Sequence, residues 1–422
     1  MKKFVVIFNL IFVICFLFSC KNVKSNNTLS NDNLIAESTE VYYATEENIY
    51  TQAYGTTVNF YGWGGNELVN SWIDDTLTPY VKEKYGIKLN RVPMNIDEIL
   101  SILLLDKQNN NLNGNVDLIW INGENFATAK ENGLLYGPFT NELPNFKKYI
   151  NEEDDEIKYD FATPIDGYES PYSKAQLVLI YDSAKIANPP KSADELLEYC
   201  KEHPKRFTYE ALPGFTGSAF VRNLIYEKVG YDKLANLDKN VSKNQVREII
   251  KPAIDYLLEL NKYLWMGGKT FPATNEIVDS MFMDGTLDFS ISYDPYHVSS
   301  FIENGSYAST CKAFVFDNGT IGNTNYVAIG FNSKNKLGAM CVADAILSVP
   351  MQASKMNPKV WGALPVLNNN KLTSEELKIF EDTKVGIGSL SQKELLEKRI
   401  PELPAYLVTI IEEIWSEDIL NK

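Results

Sequence analysis

Short runs of crowded apolar residues alternate along this chain with longer stretches in which apolar residues return every three or four positions. Residues 57–61 read as a strand, and Gly62-Trp63-Gly64-Gly65-Asn66 then turns into a helix whose one face carries Leu68, Val69, Trp72, Ile73 and Leu77. A second strand at 87–92 leads to a helix over 96–106 with Ile99, Leu100, Leu103 and Leu104 at helical spacing. The third, at 116–121, stops before the polar turn Asn122-Gly123-Glu124-Asn125, which opens another helix. Strand-helix-strand repetition at these lengths predicts right-handed crossovers and a largely parallel sheet.

Further along, 175–181 is a strand, and Asn188-Pro189-Pro190-Lys191 breaks the chain before Ser192 and Glu195 box the start of a helix through Cys200. Residues 206–209 are strand-like and pass through Leu212-Pro213-Gly214-Phe215-Thr216-Gly217 into a helix over 219–229. A strand at 287–293 ends at Asp294-Pro295 with a helix over 296–303, a strand at 326–331 precedes a helix over 337–347, and 402–419 is a helix with an apolar stripe suited to core packing. The predicted fold is α/β with two lobes joined at about 175–185 and 322–332: lobe 1 over 56–178 and 326–365, lobe 2 over 179–325, and C-terminal helices over 366–422 packed on lobe 2. Two connections act as a hinge, and ligands of open α/β sheets lie outside the carboxyl ends of strands, so both lobes border one cleft.

The chain start adds an address. Lys2 and Lys3 precede a run over 4–18 that is apolar apart from Asn9, a secretory signal too short for the roughly 20 residues of a spanning helix. Leu17-Phe18-Ser19-Cys20 resembles the lipobox of bacterial lipoproteins, which implies cleavage after 1–19 and lipidation of Cys20; an ordinary cleaved signal is the alternative. Residues 20–55 are rich in Asn, Ser, Thr and Glu and lack apolar periodicity, which predicts a flexible tether, with Tyr42 and Tyr43 able to dock. The net charge of -15 suits neither nucleic acid nor an anionic membrane surface. Of five cysteines, Cys200, Cys311 and Cys341 remain for the domain, enough for one disulfide at most, and Cys200 reads as a buried thiol.

Five stretches in order, YGWGGNELVNSWI, VDLIWINGENFATAKENGLLYGPF, RFTYEALPGFTGSAF, DGTLDFSISYDP and GTIGNTNYVAI, resemble the YnjB-like group of ABC-transporter solute-binding proteins, within the two-crossover (type II) periplasmic binding class. ADAILSVPMQASK resembles the helix-loop near the second crossover of such proteins, with Val349 and Met351 departing from the usual form. The resemblance implies a monomeric extracytoplasmic protein, in the periplasm or at the cell surface, that hands a small solute to a membrane permease driven by an ATPase subunit. It names no solute.

Three turns offer helix N-termini, with Gly64, Gly65, Asn66, Asn122, Gly123, Asn125, Thr216 and Gly217 able to bring amides up to an oxyanion or carbonyl; the glycines can equally serve the turns alone. Trp63, Trp120, Tyr172 and Tyr293 near strand ends, with Glu124 and Asp294 beside two of them, suit a planar or cationic solute, thiamine-like or polyamine-like. Trp120 can instead pack under its sheet. Tyr172 and Gln176 precede the first connection and Asn323 and Thr324 the second, where they orient a ligand or form turns. No cofactor, metal or nucleic acid is called for. With only His203 and His297, a zinc cluster or Ser-His-Asp triad has little material, and His297 is the one histidine set at the cleft rim. A lipid-anchored carbohydrate hydrolase using paired carboxylates is the alternative in another class. A ferric-iron binder using Tyr293 and Tyr296 is the alternative within the class.

Overall fold

The computed structural model describes residues 46–420. The signal segment, Cys20 and the Tyr42-Tyr43 pair lie outside the described residues. In chain order, β1 (Thr57–Gly62), β2 (Lys88–Pro93), β3 (Leu118–Ile121) and β4 (Leu135–Tyr136) precede a hairpin of β5 (Tyr159–Asp160) and β6 (Thr163–Pro164). Then come β7 (Glu169–Gln176), β8 (Val178–Asp182), β9 (Phe289–Ser292), β10 (Cys311–Phe314), β11 (Thr320–Gly330) and β12 (Arg399–Ile400).

The first sheet runs β12-β11-β3-β1-β2, with β4 and β7 also paired to β11. β1 is parallel to β2 and β3, as their helical crossovers require, but β11 returns antiparallel to β3 and to β7. The second sheet, β10-β8-β9, is antiparallel throughout, so the parallel expectation holds for the first three strands and, beyond them, only for the short pairing of β12 with β11. Period-2 alternation splits β8 and its approach between two cores. Leu177, Leu179 and Tyr181 face the helices Phe215–Val229 and Lys243–Asn261, whereas Val178 and Ile180 face the cluster holding Tyr296, Val298 and Trp361.

The chain passes from the first sheet to the second between Gln176 and Val178, and returns along β11. β11 begins at Thr320, upstream of the expected 326, because Gly322, Asn323 and Thr324 already pair with β7 and Thr320 and Ile321 with β12. A third passage follows. β12 pairs with the start of β11, and Arg399 reaches Glu156 Oε1 at 2.7 Å and the Ala175 carbonyl at 2.8 Å. Burial pushes the Glu156 carboxyl up, but Arg399 and Lys174 outweigh it and hold that carboxyl below its ordinary range.

Three local expectations need correction. The segment expected to be tether contains the helix Glu46–Ala53, because Ile49 and Ala53, four apart, bury against the helix Lys336–Ile346 while Tyr50 stacks on Tyr85 at 4.4 Å and bonds Asp344. Residues 206–209 are extended but form no strand; their backbone pairs singly, with Asp288 N donating to the Arg206 carbonyl and Trp265 N to that of Phe207. The C-terminal segment divides: Ala405–Trp415 packs on the second lobe, but Ser374–Glu381 packs on the first, where Tyr149 donates to Glu376 at 2.6 Å. Cys200, Cys311 and Cys341 are free and buried, and burial pushes the Cys200 thiol up to about 12.

Candidate functional site

Because β1 and β3 are parallel neighbours, the turns after them share one edge of the sheet. Gly62 lies against Trp120, where an added Cβ would stand 3.2 Å from the Trp120 Cβ. Trp63 folds its indole over Gly65 yet remains 48% exposed, and any side chain at Gly65 would strike that ring. Gly64 sits as tightly on Pro93, at 2.6 Å for an added Cβ. Trp120 is half-buried and stands edge-on to Tyr172, their ring centroids 5.7 Å apart. At the third strand end, Asn122 donates to Asn325 Oδ1 at 3.0 Å, and Asn325 donates to Ser173 at 3.2 Å, tying β3, β11 and β7 together.

Tyr172 is not a wall of the cleft. It is fully buried among Trp72, Trp361 and Lys355, whose Nζ lies 4.3 Å from the Tyr172 ring centroid and donates to the Tyr172 carbonyl. Burial holds the Lys355 ammonium well below its usual range. Gln176 is likewise internal and supports the hinge, donating to the Leu395 carbonyl at 2.9 Å and to Thr320 at 3.2 Å. Asn323 and Thr324 are buried in strand rather than turn, and Asn323 Oδ1 and Thr324 Oγ1 have no protein partner. Such buried polar atoms ask for water or solute.

On the second lobe, Phe215 is 44% exposed and stands edge-on to Tyr293 at 4.9 Å. Tyr293 donates to Glu402 Oε1 at 3.1 Å, and Glu402 takes both arms of the buried Arg222, at 3.0 and 2.8 Å. Burial pushes the Asp294 carboxyl up to about 7, with His297 opposing. His297 itself is tied inward, paired with Asp279 at 2.9 Å and stacked on Phe301 at 3.9 Å, which leaves it a structural role. Tyr293 and Tyr296 fall in different cores and do not present a pair. Among the described residues no group of three His, Cys, Asp or Glu side chains is placed to hold a metal.

All three helix N-termini expected to receive an anion already have acceptors of their own. Asn66 caps its helix through Oδ1, taking Leu68 N at 3.0 Å and Val69 N at 3.1 Å. Gly123, at φ +63°, gives its N–H to Asp160 Oδ2 at 2.5 Å. Gly217 N donates to Glu210 Oε2 at 3.0 Å, and the Thr216 amide bonds the same carboxylate. Sequence reasoning missed Asp160 and Glu210 because they come from neighbouring segments and not from the turns they cap.

Carboxylates consequently crowd the space between the lobes. The helix Gly123–Glu131 packs against Ala405–Trp415, so exposed Glu124 approaches Glu412, which accepts from Ser218 at 2.5 Å. Burial pushes the Glu412 carboxyl up, as do Glu124 and Glu402, against the pull of Ser218 and Arg222. Asp160 is raised well above the usual range by burial, with Glu124 and Glu402 adding to it and only the Gly123 amide relieving it. The cations that reach them are already paired, Arg222 with Glu402 and Arg399, which also acts on Tyr293, with Glu156.

The sequence matches the family model for bacterial extracellular solute-binding proteins over residues 76–378. The chain belongs to this family. It is a solute-binding protein of an ABC transporter, with the two-lobed type II fold. It is 32% identical to Protein YnjB of Escherichia coli K12 over 379 residues, 87% of this chain and 92% of that one. Among solved structures, an ABC transporter protein from Clostridium perfringens is similar at TM-score 0.59 and 19% identity, covering 86% of this chain and 99% of that one. A candidate spermidine/putrescine ABC transporter from Listeria monocytogenes is similar at TM-score 0.58 and 17% identity, covering 87% and 99%. At those identities the likeness carries the fold and not the cargo.

Proposed function

We propose that this solute-binding protein captures a small organic cation between its lobes and delivers it, chemically unchanged, to the permease of its importer. The observation that carries the reading is electrostatic. The helix ends that would favour an anion are filled by Asn66, Asp160 and Glu210, and the carboxylates of Glu124, Glu412 and Asp294 remain for the solute. Partly exposed Trp63, Trp120 and Phe215 supply aromatic faces, each able to add roughly 0.5–2 kcal/mol to binding of a cation. Asn122 and Asn325 supply neutral hydrogen bonds that fix its orientation.

In this reading the strand pairs at Gln176–Val178 and at the start of β11 flex while the lobes close on the solute. Lipidation of Cys20 keeps the protein at the extracytoplasmic membrane face, where palmitate-analogue labelling should mark the wild type and spare Cys20→Ser.

Calorimetry against polyamines, thiamine and sugar phosphates tests the charge of the solute. Cations should bind and phosphates should not; tight phosphate binding sinks the reading. The pH dependence has a definite sign. A solute cation favours the ionised Asp294 carboxylate, so affinity should rise as pH increases through about 7. Asp294→Asn should flatten that rise, and a profile unchanged by the substitution would remove Asp294 from the site.

A further inference from the structure

The parallel course of β1 and β2 gathers their N-terminal ends at the pole of the first lobe opposite the cleft edge, and antiparallel β11 delivers its C-terminal end there too. In a chain of net charge -15, this pole carries Lys84, Lys88, Lys334 and Lys336, and among the described residues none of the four is paired with a carboxylate. Lys334 Nζ bonds Asn115 Oδ1 at 2.9 Å and Lys336 Nζ the Ser333 carbonyl at 2.6 Å, both neutral acceptors. The nearby acids are engaged or isolated. Asp117 accepts from Ser333 at 2.6 Å and from the Asn59 amide and attracts Lys336, Asp106 accepts from Asn111 and Asn332, and among the described residues Glu83 stands exposed beside Lys84.

Large apolar side chains stand out between these lysines. Leu112 and Tyr54 are each 74% exposed, and Leu337 is exposed as well. Leu112 and Leu337 line a depression of about 420 Å³ together with Lys334, Lys336 and Thr56. Tyr54 lies over Gly86, between Lys84 and Lys88, and Lys88 N donates to the Thr56 carbonyl at 2.9 Å, so the tyrosine and the depression form one surface. The helix Glu46–Ala53, by which the chain enters the domain, leads directly into it.

We infer that this pole of the first lobe rests on an anionic lipid surface, with its lysines at the headgroups and Leu112, Leu337 and Tyr54 dipping among them. Basic side chains interspersed with protruding apolar ones match such a surface, since neither attraction suffices alone at one or two contacts. The net negative charge of the chain would hold the rest of the molecule off the membrane, so the contact is oriented and the cleft edge stays away from the lipid. The inference rests on the Cys20 anchor proposed above, and the two fail differently.

The test uses the full lipidated chain in phosphatidylcholine vesicles, with and without phosphatidylglycerol. A polarity-sensitive fluorophore is attached at Leu112→Cys, the native thiols being buried, and a second preparation carries it at Ile277→Cys on the other lobe. With phosphatidylglycerol, quenching of the Leu112→Cys label by an aqueous quencher should fall by about ten-fold, while the Ile277→Cys label stays accessible. The double change of the exposed lysines, Lys88→Glu and Lys334→Glu, which leaves Lys336 in place beside Asp117, should restore quenching without altering the thermal melt. Protein retained on vesicles with the Leu112→Cys label equally quenched in both lipids overturns the oriented contact and leaves the anchor standing. Protein that fails to stay on vesicles overturns both. Protection that requires the permease, and not the anionic lipid, assigns the pole to the transporter and overturns the inference as well.

Discussion

The turn after β1 and the turn after β3 lie side by side on one sheet edge and each opens a helix, yet they satisfy the first amides differently. At the first, Asn66 caps locally with a neutral amide, and Trp63 is left free to cover Gly65 or a solute. At the second, the hairpin β5–β6 brings in the buried carboxylate of Asp160, which takes the amide of Gly123 in a left-handed conformation. A local cap leaves the turn available, whereas a tertiary cap commits it to the fold. The Gly123 amide bond at the second turn should therefore govern stability, whereas the side chains left exposed, Trp63 at the first turn and Glu124 at the second, should tune binding.

Gly123→Val should break the second turn most severely. A non-glycine residue in the left-handed region costs about 1–2 kcal/mol, and disturbing the amide bond to buried Asp160 adds about 1–3 kcal/mol. A marked fall in the urea midpoint is expected, whereas Gly65→Ala, met only by the movable Trp63 ring, should alter affinity more than stability.

Asp160→Ala comes next, at about 1–3 kcal/mol for the orphaned amide. Asp160→Asn keeps an acceptor and should cost less. Burial raises the folded carboxyl of Asp160 well above its unfolded value, so the folded state binds the proton more tightly. The stability this gives is complete below the unfolded value of about 3.9 and is lost as pH rises through the folded one. Denaturation midpoints taken across that range should lose part of their slope in Asp160→Asn.

Glu124→Gln removes charge and keeps shape, and should weaken a cationic solute by up to ten-fold, about 1.4 kcal/mol, with no change in melting. Normal binding of the identified solute by this variant would place Glu124 outside the site. Asn66→Ala should be the mildest, losing about 1 kcal/mol of stability with the cap and leaving solute affinity within two- to three-fold, about 0.5 kcal/mol.

Strand-helix alternation, both lobe connections and the family were legible because they rest on local periodicity and on motifs in order. Other features were set by partners distant in sequence. The helix Glu46–Ala53 is short and polar overall, and only its two buried residues against Lys336–Ile346 reveal why it forms. The start of β11 was missed because Thr320 to Thr324 is polar apart from Ile321, its pairing supplied by β7 and β12. Of the residues expected at the site, Trp63, Trp120, Asn122 and Glu124 keep exposed or half-buried side chains at strand ends, but Tyr172 and Gln176 turn inward, since a strand position does not declare which face is covered. Asn325 was legible in principle as the alternate neighbour of Asn323 on one polar strand. Asp160, Glu210 and Glu412 were not, because no spacing in the sequence joins them to the glycines and acids they meet.

In the proposed function, an acid surplus between the lobes selects a cation. Native mass spectrometry of protein purified without denaturation, followed by release and identification of the bound molecule, addresses it most directly. One intact, positively charged small metabolite per chain is expected, with occupancy reduced in Glu124→Gln. Stoichiometric recovery of an anionic metabolite, or of the product of a reaction on the protein, would contradict it.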